Sequence, residues 1–240
     1  MRYGILGDVH ANLEALEVVL EALSKEKIDA HVAVGDIVGY GADPVECLKR
    51  VRQVAKIIVA GNHDFAAVGK LNIDFFNTYA RQSALWTREQ LSESDREFLR
   101  NLKLVEYLDS FTVTHSSLHY PELFEYIQTS YDAQLSFQQQ TTPICFVGHS
   151  HVPVTFLQKK TVTFSMQSVA DVDDRHKMMV NVGSIGQPRD ENPEAAYGIF
   201  DTEAGKIWIK RVKYDVDRAA KKIIVAGLPP ILAERLRYGR

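Results

Sequence analysis

Apolar positions follow two patterns that alternate through the first sixty residues. Short apolar runs, Tyr3-Gly4-Ile5-Leu6, His31-Val32-Ala33-Val34 and Ile57-Ile58-Val59-Ala60, each stop at a glycine-led turn. Runs of this length bounded by turn residues read as buried strands. Between them the spacing lengthens: Leu13, Leu16, Leu20 and Leu23 recur on one helical face behind a candidate N-cap at Asn12. Pro44 opens a second helix that runs through Val54. This β-α-β-α-β succession predicts a parallel sheet with right-handed crossovers, in which ligands collect at the carboxyl ends of the strands.

From Asn72 to Leu102 the pattern turns helical, with one segment around Phe76, Tyr79 and Trp86 and another started by Ser92, with Asp95 three residues on as a partial capping box. This stretch, 72–102, is expected to be a helical insert or cap. Phe111 to Thr114 and Ile144 to Val147 are further strands, ending at His115 and Gly148. Beyond them Val152 to Leu157, Thr161 to Gln167, Met178 to Val182, Tyr197 to Phe200 and Ile207 to Val212 read as antiparallel strands of a second sheet. Helices are expected over Asp217 to Ala226 and Ile231 to Arg237, around Gly227-Leu228-Pro229-Pro230. With no repeat, low-complexity stretch or linker, residues 1–240 read as one α+β domain of two mixed sheets flanked by helices.

Composition agrees with that picture: 240 residues, 45% hydrophobic and 25% charged, are enough for a full core. A formal charge of −3 gives no basic field, so a polyanion must be held by local charge or metals, which disfavours long nucleic acid. Cys47 and Cys145 show no paired spacing and read as inert apolar residues of a protein in a reducing compartment. The chain passes from Met1-Arg2 directly into a strand, so no signal peptide is expected, and no apolar stretch is long enough for a membrane span. The expected location is the cytoplasm.

The chemistry lies in the turns. Gly7-Asp8-Val9-His10, Gly35-Asp36, Gly61-Asn62-His63-Asp64, His115 and Gly148-His149-Ser150-His151 all follow apolar strands. Each alone has an ordinary explanation, since Gly-Asp is a common turn pair and a turn histidine is usually a surface residue. Together they place five of the eight histidines where turn chemistry favours Asn, Asp, Ser and Gly. Side chains two apart on an extended segment share a face, so Asp8 with His10, and His149 with His151, can each point two ligands into one cavity. Asp36 has two oxygens with which to bridge two cations, and Asn62 offers a neutral amide oxygen. Nitrogen and oxygen donors without thiolate suit manganese, iron, zinc, nickel or cobalt better than magnesium or a structural zinc site.

In this order the residues resemble the calcineurin-like metallophosphoesterase superfamily, whose five motifs are Asp-x-His, Gly-Asp, Gly-Asn-His-Asp/Glu, a single His and Gly-His-x-His. The later strands and the segment Asn181-Val182-Gly183-Ser184-Ile185-Gly186-Gln187-Pro188-Arg189 look like those of its small bacterial phosphodiesterase-like branch. The resemblance implies a four-layer α/β/β/α sandwich and two divalent transition-metal ions. It implies one metal held by Asp8, His10, Asp36 and His151, and another by Asp36, Asn62, His115 and His149. A water activated by both metals would attack phosphorus, and His63, not itself a ligand, would protonate the leaving group. Asp64 would either orient His63 or cap its turn.

Departures from the family pattern bear on the substrate. Protein phosphatases of the superfamily read Gly-Asp-x-Val-Asp-Arg-Gly at the second motif; here Gly39 and Tyr40 stand in place of the Asp and Arg, which disfavours a phosphoprotein. Tyr40 is then free to stack on a base or to pack against the helix at Pro44. Ser116 follows His115 where the family usually has glycine, and His119 is a nearby rival ligand. Arg189 is the candidate phosphate clamp, with a solvated arginine as the plain alternative. His31 and His176 read as surface residues, and Arg235, Arg237 and Arg240 as a basic helix end. The expected activity is hydrolysis of a small phosphorylated molecule such as a nucleotide or dinucleoside polyphosphate. The alternatives are a nuclease, a cyclic-nucleotide phosphodiesterase, or a non-catalytic scaffold like the phosphoesterase-like subunit of retromer.

Overall fold

The computed structural model describes residues 1–173 and 175–240. The alternation at the N-terminus is realised as β1 (Arg2–Leu6), α1 (Leu13–Ser24), β2 (Ala30–Ala33), α2 (Pro44–Val54) and β3 (Ala55–Ile58). The three strands pair in parallel. Asn12 caps α1 by accepting from the Ala15 amide, while its own amide group donates to the Gly186 carbonyl at 2.9 Å. His31 is half-buried in β2, not a surface residue as its polar neighbours suggested.

A short helix, α3 (Asn62–Ala67), starts within the third turn, where the sequence pattern gave only a turn. The stretch 72–102 contains α4 (Thr78–Gln90) and α5 (Glu93–Arg100), and Ser92 and Asp95 close a reciprocal capping box at the start of α5. Next come β4 (Val105–Tyr107), β5 (Phe111–Thr114), α6 (Ser130–Gln139) and β6 (Ile144–Val147). β5 and β6 are parallel, so this is a second β-α-β unit.

The remaining strands are β7 (Val154–Gln158), β8 (Val162–Ser165), β9 (Val169–Asp171), β10 (Lys177–Asn181), β11 (Ala195–Asp201) and β12 (Lys206–Val212). They do not form a separate antiparallel sheet, as expected from the sequence, but divide between two sheets. One sheet has the order β3-β2-β1-β11-β12-β9 and the other β4-β5-β6-β10-β7-β8. β10 runs parallel to β6, and β11 lies antiparallel to β1 with Tyr3 opposite Phe200. Ala195 to Phe200 are all buried, so β11 has no inside-outside alternation from which its partner could be read. The chain closes with α7 (Val216–Val225) and α8 (Pro230–Leu236).

The inner faces of the sheets pack on each other. Tyr3 and Ile5 from one meet Phe111, Phe146 and Val180 from the other, and the Tyr3 and Phe111 rings stand edge to face at 5.0 Å. On one outer face Leu16, Val19 and Leu23 of α1 and Leu48 and Val51 of α2 cover Leu6 and Ile199. On the other, Ala133 and Phe137 of α6 cover Cys145, Phe156 and Met179. The result is the four-layer α/β/β/α arrangement, with each sheet buried on two sides. Both cysteines are buried in it and unpaired.

Candidate metal centre and adjoining cavity

Because β1, β2, β3, β5, β6 and β10 run parallel, the turns that follow them meet at one edge of the sandwich. Backbone hydrogen bonds join these turns: His10 N–H donates to the Asp36 carbonyl, Gly148 N–H to His115, and Ile185 N–H to Gly7, each within 2.8–2.9 Å. Asn181, near the end of β10, donates to the Gly148 carbonyl, and the Ser184 hydroxyl donates to the Asp8 carbonyl. The 181–189 segment thus brackets the edge from the far side.

The paired residues reach the cavity by a route that strand alternation does not describe. Asp8, His10, Asp36, His149 and His151 all have φ between 45° and 69°, in the left-handed region. The chain curls there instead of running extended, which costs about 1 kcal/mol or more per non-glycine residue. Gly61 makes such crowding feasible: a Cβ there would lie 2.0 Å from Asp36 Oδ1.

Two groups of ligand atoms result, Asp8, His10, Asp36 and His151 in one and Asp36, His115 and His149 in the other, each within 4.8 Å. Asp36 Oδ2 lies 3.5 Å from His10 Nε2 and 3.3 Å from His115 Nε2, while Oδ1 accepts from the His63 amide. Asn62 Oδ1 is 3.2 Å from His115 Nε2 and so joins the second group. All seven side chains are buried. His119 lies outside, 3.8 Å from Glu125, which leaves His115 as the histidine of the fourth motif.

The donor set fits cations. His10 Nδ1 is 3.2 Å from the Val38 carbonyl and His151 Nδ1 is 2.6 Å from that of Gln187, so each ring places its proton on Nδ1. Their Nε2 lone pairs then face each other 3.0 Å apart, a repulsive arrangement that a positive ion between them reverses. His115 is locked in the same way on the Val34 carbonyl at 2.8 Å, with its Nε2 3.2 Å from His149 Nδ1. Asp8 Oδ2 is buried without any hydrogen-bond partner, an uncompensated cost that a cation would remove.

The electrostatics are those of a crowded dry site. Burial pushes Asp8 up to about 7 and holds His10, His149 and His151 well below the ordinary histidine value. Burial also opposes the charge on Asp36, but His115 and His63 outweigh it and keep the carboxyl well below its usual range. His115 moves the other way, to about 9, because Asp36 and then Asp8 overcome its burial.

His63 sits beside these groups, its ring 5.0 Å from that of His10 and 4.3 Å from that of Tyr40. Burial lowers it to about 4, and its Nδ1 is buried without a partner. Asp64 does not supply one: its oxygens accept from the amides of Ile37, Val38 and Gly61, which ties the second turn to the third. Of the two readings of Asp64, the geometry fits the cap. At Gly39, with φ of 91°, a Cβ would fall 2.7 Å from His63 Nδ1. Tyr40 belongs to a cluster with Ala80, Ala220, Ile223 and Leu236 and turns its ring toward His10 and His63. Arg189 is not a freely solvated arginine. It hydrogen-bonds Gln187 at 3.0 Å, lies over the Tyr40 ring at 5.8 Å, and keeps its Nε buried without a partner.

Beside Asn62, His63 and His149 lies a cavity of about 450 Å³ that the sequence patterns did not reveal. Phe75 and Phe76 precede α4, and Leu123, Phe124 and Tyr126 come from the loop between β5 and α6. Tyr126 stacks on His149 at 3.9 Å with an angle of 17° between the rings. The available signals were the Phe75-Phe76 pair and the aromatic content of the Tyr120 to Tyr126 loop.

A buried edge with two groups of candidate metal ligands sharing one carboxylate, beside an open cavity, is the arrangement that metal-assisted hydrolysis uses. The chain belongs to the calcineurin-like phosphoesterase superfamily, whose domain matches residues 1–205. It is therefore a phosphoesterase, and the Asp and His groups at its edge are ones that could hold the metals on which the family depends. A metallophosphoesterase from Sphaerobacter thermophilus is 39% identical, with a TM-score of 0.89 over 100% of this chain and 99% of that one. An uncharacterised protein of Methanocaldococcus jannaschii is 37% identical over 98% of this chain and 97% of its own. A hypothetical protein from Pyrococcus horikoshii, 19% identical, shares the fold with a TM-score of 0.79 over 100% and 98% of the two chains. Among the described residues no helix is long and apolar enough to cross a membrane.

Proposed function

We propose that this protein, acting as one domain over 1–240 in the cytoplasm, hydrolyses a phosphate ester or anhydride of a small molecule, a nucleotide or dinucleoside polyphosphate being the leading class. Two divalent transition-metal ions, manganese foremost, would be held by Asp8, His10, Asp36 and His151 and by Asp36, Asn62, His115 and His149. The observation that carries this reading is the pair of Nε2 lone pairs of His10 and His151 facing each other 3.0 Å apart beside Asp36. Bound there, the ions would supply charge against the phosphoryl oxygens and an activated water.

The protein's own groups do the rest. Carbonyls of Val34, Val38 and Gln187 hold three imidazoles in one tautomer, so the donors need no rearrangement to bind. Arg189, aligned by Gln187 and Tyr40, offers its guanidinium to phosphate oxygens. His63 delivers a proton to the departing oxygen; a phosphate dianion against its ring raises its affinity for that proton above the value that burial imposes. Asp64 holds the His63 turn in place through Ile37, Val38 and Gly61. Gly39 and Tyr40 stand where protein phosphatases of the superfamily carry an acidic residue and an arginine, consistent with a substrate smaller than a phosphoprotein.

His63→Ala should keep its full metal content by elemental analysis and lose roughly 100-fold or more in kcat on an alkyl phosphate, with a smaller loss on a p-nitrophenyl ester, whose leaving group needs no proton. Equal turnover of both esters by variant and wild type would remove His63 from the mechanism. A screen of bis-p-nitrophenyl phosphate, diadenosine tetraphosphate and single-stranded DNA with each metal added separates the small-molecule reading from a nuclease.

A further inference from the structure

The cavity beside the candidate metal centre has a composition that the phosphate chemistry does not use. Its floor is Asn62, His63 and His149, so whatever fills it is continuous with the reacting group. Its walls are Phe75, Phe76, Leu123, Phe124 and Tyr126. Among the described lining residues Glu122 alone carries a full charge, and it is negative. Tyr40 also lines the cavity, and Arg189 approaches it there, 5.8 Å from the ring centroid and 3.5 Å from the hydroxyl, on the side where Gln187 lies. A phosphate placed at the end formed by Phe75, Leu123 and Phe124 would meet the Glu122 carboxylate, whereas an uncharged planar group would meet aromatic faces.

Three further observations point the same way. Phe75 is 93% exposed, a large ring with nothing packed over it at the rim of a cavity, where burial against a ligand would remove apolar area from water. Tyr126, 46% exposed, is held parallel to His149 at 3.9 Å, so its orientation at the cavity is fixed. Tyr120 and Phe124 adopt φ of 52° and 51° on either side of the short turn Pro121–Leu123, so the backbone of this loop is held in an unfavourable shape that presents Leu123 and Tyr126. Asn72 and Asn77 add amide groups to the lining, and with Glu122 they can accept and donate hydrogen bonds at the edge of a flat heterocycle.

We infer that this cavity is a nucleobase subsite: the substrate's base lies among Phe75, Leu123, Phe124 and Tyr126, its polar edge toward Glu122, Asn72 and Asn77, while its phosphate faces the candidate metal centre. This rests on the phosphoesterase reading and narrows it. A nucleoside that enters here carries its phosphates away from the cavity, toward Arg189, and a chain of phosphates does not run past Glu122. The volume of about 450 Å³ is within the range that holds a small ligand.

The test is direct binding of adenosine, which has the base and no phosphate, to the purified full-length protein by isothermal titration calorimetry, with ribose as the comparison. Adenosine should bind and ribose should not. Phe75→Ala and Tyr126→Ala should each weaken adenosine roughly fivefold or more, the size of effect that loss of a stacking face produces, while Tyr126→Phe restores most of it. Unfolding midpoints of the variants show whether each remains folded; Phe75, exposed and outside any helix, is the variant expected to match wild type. Equal binding by wild type and Phe75→Ala, binding of ribose as tight as adenosine, or no adenosine binding would overturn the inference. If bis-p-nitrophenyl phosphate is still hydrolysed in that case, the phosphoesterase reading stands without the base subsite. If adenosine binds through Phe75 and Tyr126 but no phosphate ester is cleaved, the subsite stands and the catalytic reading fails.

Discussion

Asp36 is where the two halves of the site meet, since one of its oxygens faces a histidine from each ligand group and the other fixes the His63 amide. Asp36→Asn keeps the shape but removes the charge, so bound metal measured by elemental analysis should fall well below two equivalents; two full equivalents would defeat the bridging assignment. The residue types and their order were legible in the chain because the chemistry needs those donors at strand ends. Their left-handed backbone was not, and neither were the carbonyls that set each tautomer, because a carbonyl looks the same in every residue. Asp64 illustrates the limit: its neighbour in sequence is His63, but its partners in space are Ile37, Val38 and Gly61. His31 offers a test outside the site. Burial lowers its pKa from 6.5, so the folded protein takes up its proton less readily than the unfolded chain, and stability is lost as pH falls through that value. Between about pH 7.5 and about pH 5.5 the wild type should lose more of its urea midpoint than His31→Gln does; parallel curves would show that His31 contributes no pH dependence.

Among the elements, those with strong local signals formed where the sequence placed them. α1 begins after the Asn12 cap, α2 at Pro44, and α5 behind the box of Ser92 and Asp95. Asn12 acts beyond its helix, because its amide also holds the Gly186 carbonyl in the segment that brackets the site. Asn12→Ala should therefore lower stability by about 1–2 kcal/mol, above the cost of an exposed cap, as read from denaturant unfolding. A change below a few tenths would mean that Gly186 finds water instead. α3 was missed because six residues, Asn62 to Ala67, carry too little periodicity to register, although this helix aims Asn62 and His63. The 120–126 loop was unreadable for a different reason: no periodicity distinguishes aromatic side chains at a cavity wall from those in a core.

Over the whole molecule, two sheets are clamped face to face, and the charged edge is kept together by backbone hydrogen bonds between turns. That edge holds buried charges, opposed lone pairs and left-handed backbone at five of the seven candidate ligands, all of which favour opening when no cation is present. Protein stripped with a chelator should melt several degrees lower, and manganese at 100-fold above its dissociation constant should restore about 2.7 kcal/mol. Identical melting with and without metal would show that the site is stable empty and would remove the main support for two bound ions. By itself the sequence determined the parallel β-α-β start, the two-sheet class, the family and the seven candidate ligands, because these follow from local periodicity and from donor types recurring at strand ends. Only the tertiary structure decided that β11 and β12 join β1, that the Tyr40 ring faces His63 while Gln187 and Tyr40 hold Arg189, and that an aromatic cavity adjoins the candidate metal centre. Those outcomes depend on which distant surfaces bury each other, and a strand buried on both faces carries no local mark of its partner.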